Sequence, residues 1–119
     1  MERITNYKEY LAQPIGRLFL HKLVDVVSIY PEDFDTVYAL IKDPQDKISW
    51  RAAWACEKIF EKYPDFMEGK QEELIDIVMK NNHSGTRRIL LSILLELPIS
   101  KPLPVDFLDF CFNHMLNLD

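Results

Sequence analysis

Ile48-Ser49-Trp50-Arg51-Ala52-Ala53-Trp54-Ala55-Cys56-Glu57-Lys58-Ile59-Phe60 is the clearest helix in the chain, and its two faces decide the fold. At 3.6 residues per turn, Ile48, Ala52, Ala55, Cys56, Ile59 and Tyr63 share one side. Ala53 and Phe60 widen that stripe. The three alanines let a neighbouring helix approach closely. Glu57, Lys58, Glu61 and Lys62 take the opposite side. Trp50 and Trp54, one turn apart, fall on this polar side as well. A Trp pair on a polar face costs solubility unless something covers it. Asp46 is placed to cap the amino end, and Pro64 turns Tyr63 away from helical geometry and stops the helix.

Composition bounds what surrounds this helix. The chain has 119 residues, enough for one domain with its own core. Hydrophobic residues make up 48% of it, which excludes intrinsic disorder. Its 3 glycines are too few for a turn-rich sandwich or a glycine-rich phosphate loop. A net charge of −5 argues against a nucleic-acid partner, because that affinity comes from neutralising phosphates. Cys56 and Cys111 sit in apolar helical patterns and read as buried, reduced thiols of a cytoplasmic protein. No apolar run is long enough to cross a bilayer, and the amino end is too polar for a secretory signal. The expectation is a soluble protein without a membrane partner.

Outward from the central helix, the pattern stays helical. Asn6-Tyr7-Lys8-Glu9 has capping-box spacing and opens a short helix ending before Pro14. A second helix runs from Arg17 to Tyr30, burying Leu20, Leu23, Val24 and Val27, with Phe19 and Val26 broadening the stripe. Pro31 opens a third helix reaching about Lys42. After Pro64 comes a turn, then a helix from Gln71 to Lys80 with Leu74, Ile75, Val78 and Met79 inward. Asn81 to Gly85 is a turn. Gly85 to Leu97 is apolar over most of its circumference, with Arg88, Ser92 and Glu96 as its one polar stripe. Such a helix should be buried nearly all round. Pro98 ends it, Ser100 to Pro104 is a stiff connector, and Pro104 to Asn117 forms the last helix, with Val105, Leu108, Phe112, Met115 and Leu116 inward.

The pieces repeat. The proline stops Tyr30-Pro31, Tyr63-Pro64 and Leu97-Pro98 lie 33 and 34 residues apart. Two continue alike, as Tyr30-Pro31-Glu32-Asp33-Phe34 and Tyr63-Pro64-Asp65-Phe66. Between stops the plan is the same: a shorter helix, a tight polar turn, a longer helix.

Asp43-Pro44-Gln45-Asp46 followed by Arg51, Ala52, Ala53, Ala55 and Ile59 resembles the turn and second helix of a HEAT-type, or armadillo-like, repeat. The resemblance is specific for this repeat and architectural for the rest. It implies an all-α, right-handed α-α superhelix of about three helix pairs, the last incomplete. One domain would span residues 1–119, with units at about 6–30, 31–63 and 64–97 and a terminal helix at 104–117. It also implies that Asp43 or Asp46, with Arg51, ties neighbouring repeats together. It implies no activity.

In such a stack the second helices line the concave surface used for binding. Aligning them on their proline stops puts Arg17 and His21 beside Trp50 and Trp54, with Arg88 further along. Trp and Arg are enriched at binding hot spots, so these five residues are the candidate contact with a protein or peptide partner; the competing reading is that Trp50 and Trp54 pack between adjacent repeats. The last helix lacks a partner, so either it is a cap or its free face pairs with another chain; Phe107, Leu108, Phe110 and Phe112 give it more apolar residues than one face needs, which favours self-association. His21, His83 and His114 are far apart, no Cys or His pair has metal-ligand spacing, and no phosphate loop or nucleophile motif is present. No catalytic residue, metal or cofactor is therefore expected. The reading is a non-catalytic interaction or scaffold module. Its alternative, by resemblance to DNA glycosylases built from HEAT-like repeats, is a nucleic-acid-binding protein or a DNA-repair enzyme of the glycosylase kind.

Overall fold

The computed structural model describes residues 3–14, 16–97 and 102–115. Seven α-helices follow one another in these segments: α1 (Tyr7–Ala12), α2 (Arg17–Ile29), α3 (Phe34–Ala39), α4 (Asp46–Lys62), α5 (Gln71–Lys80), α6 (Ser84–Glu96) and α7 (Val105–Met115). Short 3-10 turns at Pro31–Asp33, Leu40–Lys42 and Pro64–Met67 join them, and no strand occurs among the described residues. Expectations for Pro98, for Ser100 and Lys101 of the connector, and for the side chains of Met115 and Leu116 lie outside the described residues.

Helix α4 is the hub. It packs against α1, α2, α3 and α6, while α6 also meets α5, and α5 meets α7. The face read from its periodicity is the one it buries: Ile48, Ala52, Ala53, Ala55, Cys56 and Ile59 are almost inaccessible to solvent, and Phe60 nearly so. The molecule measures 44 × 28 × 20 Å. A 17-residue α4 is about 25 Å long, and two helix layers account for about 20 Å. The 44 Å axis therefore runs along the stack.

The first two proline stops share one geometry, whereas Leu97 at the third is extended (φ −73°, ψ 141°). Tyr30 (φ −120°, ψ 75°) and Tyr63 (φ −135°, ψ 75°) leave the helical region before their prolines. Each ring then lies under a cation: the Arg3 guanidinium is 4.5 Å from the Tyr30 centroid, and Lys62 Nζ is 5.5 Å from that of Tyr63. Phe34 and Phe66, three and two residues after their prolines, stack with centroids 5.1 Å apart.

Contacts between successive helix pairs are polar as well as apolar. Arg51 Nη1 donates to the carbonyls of Leu11 (2.7 Å) and Gln13 (2.6 Å) at the end of α1. Asp43 accepts from the Gln45 N–H at 2.9 Å and pairs with Lys8 of α1 at 3.0 Å. Both tie the α4 region to α1, through separate partners rather than through each other. Asp46 does not cap α4; Gln45 is the N-cap and contributes no side-chain bond. Asn6 does cap α1, accepting from the Glu9 N–H at 3.0 Å.

Sequence periodicity misassigns several faces, mostly near the last helices. In α7 the buried side carries Phe107, with Phe110 and Cys111 half-buried. Val105, Leu108 and Phe112, expected inside, are 71%, 48% and 66% exposed. The helix has two apolar stripes, and the one holding Phe107, Phe110 and Cys111 takes the core. Helix α6 is not buried all round: Thr86, Leu90 and Ile93 face inward, but Leu95 is 83% exposed, since no described helix stands on that side. In α5, Ile77 is buried and Met79 exposed. Phe19 of α2 is exposed at the edge, its ring against Tyr10. The third helix is broken into α3 and two 3-10 turns.

Candidate functional site

Three long helices stand side by side, α2 against α4 and α4 against α6, and their common outer surface carries the candidate residues. The i, i+4 spacing of Trp50 and Trp54 puts one indole above the other. Their rings stack with centroids 5.8 Å apart and planes inclined by 22°, an offset arrangement aromatic pairs favour. Trp54 is half-buried and rests on the core, whereas Trp50 remains exposed. Trp50 leans toward the first turn of α6. A Cβ on Gly85 would sit 3.3 Å from Trp50 Cδ1 and 3.0 Å from His83 Cε1. Glycine there admits the indole edge beside the backbone. His83 completes the corner by capping α6, its Nδ1 accepting from the Thr86 N–H at 3.2 Å.

On its other side the Trp pair borders a cleft of about 440 Å³ lined by Arg17, Leu20, His21, Trp54 and Lys58. A second cleft of about 320 Å³, lined by His21, Val24, Asp25, Lys58, Glu61 and Lys62, continues from it. Because His21 and Lys58 line both, the two form one groove along the α2–α4 seam. Thus Arg17, His21 and Trp54 converge, Trp50 stacks on Trp54 away from the cleft, and Arg88 is exposed on α6, outside the cleft's lining. Lys58 was not singled out by the sequence. Its signal was available: it lies one turn beyond Trp54.

Charge is distributed unevenly over this surface. At the carboxyl end of the groove, Lys62 pairs with Asp25 and Lys58 with Glu61, both at 3.4 Å. Burial holds the Glu57 carboxyl above the usual carboxylate range, and Glu61 and Glu96 push it the same way, against Lys58 and a hydrogen bond from Ser92. At the amino end, Arg17 and His21 make no ion pair among the described residues. The surface is aromatic and cationic at one end and carboxylate-rich at the other.

Nothing in this arrangement activates a nucleophile. Cys56 is fully buried, and burial pushes its thiol well above the ordinary range. Among the described residues no group of three or more His, Cys, Asp or Glu could hold a metal, and no helix is long and apolar enough to cross a membrane. What the geometry offers is a grooved contact surface.

A family model described as a HEAT repeat domain matches residues 7–119. No curated protein and no solved structure matches the chain.

Proposed function

The chain belongs to the HEAT repeat family, and from that membership we propose that it is a non-catalytic module holding a protein or peptide on the face around Trp50 and Trp54. The family is generally non-catalytic and serves interaction and scaffolding. The observation that carries the reading is the stacked Trp50–Trp54 pair, with Trp50 exposed, beside the groove lined by Arg17, His21 and Lys58. An aromatic anchor next to an arginine that makes no ion pair among the described residues is the composition of a binding hot spot. Arg88, on α6, extends the same face.

The organisation that goes with this reading is one helical-repeat domain, with units at about 6–30, 31–63 and 64–97 and a terminal helix at 104–117. Free Cys56 and Cys111 suit a reducing, cytoplasmic setting. The outward Val105, Leu108 and Phe112 of α7 support self-association as a second contact. A nucleic-acid partner is disfavoured by the net charge of −5 and by Glu57, Glu61 and Glu96 on the candidate face.

The test is a pull-down comparing the wild type with Trp50→Ala and Trp50→Ala/Trp54→Ala, after circular dichroism has established that each is folded. A protein retained by the wild type and lost by both folded variants is the expected result. Equal retention by all three would move the contact off this face.

A further inference from the structure

The most exposed apolar side chains are gathered at the two ends of the stack. At one end, Leu18 is 86% and Ile29 53% exposed on α2; at the other, Leu95 of α6 is 83%, and Val105 and Phe112 of α7 are 71% and 66% exposed. The helical period sorts each end into a stripe with a charge in its middle. On α2, Leu18, Lys22 and Ile29 lie opposite the buried Leu20, Leu23 and Val27. Asp25 shares this stripe but is turned to Lys62, which leaves Lys22 as its unpaired charge among the described residues. On α7, Val105, Asp109 and Phe112 lie opposite the buried Phe107, and Asp109 makes no ion pair among the described residues. Arg88 stands on α6 between the groove-bearing face and this end, so the acidic character of the end is confined to α7.

From these two stripes we propose that the chain associates head to tail with a second copy of itself, the α2 edge of one copy docking on the α6–α7 end of the next. This rests on the self-association reading of α7 and adds its geometry. The contact continues the packing already present within the chain, where α2 meets α4 and α4 meets α6, because a helical-repeat end is an inter-repeat surface without its neighbour. Apolar residues flank Lys22 at one end and Asp109 at the other, so the charges are complementary in head-to-tail pairing and repel in tail-to-tail pairing. Each end presents at most 28 × 20 Å, about 560 Å² per copy. Joining two ends then buries at most about 1,100 Å², close to the roughly 1,000 Å² minimum for a specific contact. The association is accordingly weak and concentration-dependent. Because the surfaces differ, it is heterologous and adds further copies rather than closing at two.

Sedimentation velocity over rising protein concentration tests this with Lys22→Glu and Asp109→Lys, both exposed positions, each shown folded by circular dichroism. The wild type should sediment faster as concentration rises. Each variant alone should stay monomeric. Their equimolar mixture should regain concentration-dependent association, since one junction carries the wild-type charge pair and the other the reversed but still complementary pair. A wild type that remains monomeric to about 1 mM, a concentration at which even a weak contact populates, would overturn both the proposal and the self-association reading. Association that Lys22→Glu leaves intact but Phe112→Glu abolishes would overturn only the head-to-tail geometry.

Discussion

Replacing Arg51 by Met keeps the aliphatic stem and removes the guanidinium that joins α4 to α1. Its Nη1 donates to two carbonyls, Leu11 O at 2.7 Å and Gln13 O at 2.6 Å. Gln13 is exposed, so its carbonyl recovers a water; Leu11 is fully buried, and its carbonyl loses its charged donor. A hydrogen bond from a charged donor contributes about 1.5–3 kcal/mol. The loss is therefore about 2 kcal/mol, with one partner counted fully and the other discounted. A chain of 119 residues unfolds with an entropy of about 0.25 kcal/mol/K, so Tm should fall by about 8 °C. Arg51→Lys should land between, because a lysine keeps the charge but lacks the planar fork. Thermal melts by circular dichroism give the first number. Amide hydrogen exchange gives the second, with Tyr10 to Gln13 losing protection before the rest. A Tm within about 2 °C of wild type, with exchange in α1 unchanged, would refute the claim that this arginine fastens the first helix to the stack.

Acid should loosen the amino end. The Arg3 guanidinium, followed by the Tyr7 hydroxyl (2.7 Å), holds the Asp33 carboxyl below its ordinary 3.8, against its burial. A depressed carboxylate contributes stability that is present above the unfolded value and lost as pH falls through the folded one. Asp33→Asn should thus lower Tm at pH 7, and the gap to wild type should close toward pH 3; melts across that range check it. The two thiols should separate kinetically. Cys111, half-buried, should react with a maleimide in the native state, while fully buried Cys56 should label only on unfolding, and mass spectrometry counts the adducts.

How far the sequence could be read depended on how many neighbours a helix has. Helix α4 is enclosed by four others, so one apolar stripe had to be its buried face, and Ile48 through Ile59 were assignable. Helix α7 meets α5 alone among the stronger contacts, and its two apolar stripes compete. Period alone could not choose Phe107 over Phe112, and the choice came out reversed. The Trp50–Trp54 stack was legible because i, i+4 spacing is local. Bringing Arg17 and His21 to it required the repeat, through alignment on Tyr30-Pro31 and Tyr63-Pro64. The Arg3–Asp33–Tyr7 cluster left no such trace: it spans thirty residues and follows no period. Arg51 was legible as a tie, but not its partners, which are backbone carbonyls and so carry no side-chain signature.

Ala52, Ala53 and Ala55 are wholly buried on the hub helix, and nothing longer than a methyl group stands on them between α4 and its neighbours. The distance between packed helices follows the side chains at their contact. These three positions therefore act as the shims of the stack, and the arc of the groove-bearing surface is written at its back rather than on the surface itself. A Val in place of any one of them would widen the spacing and flatten or sharpen that arc without altering a residue the partner touches.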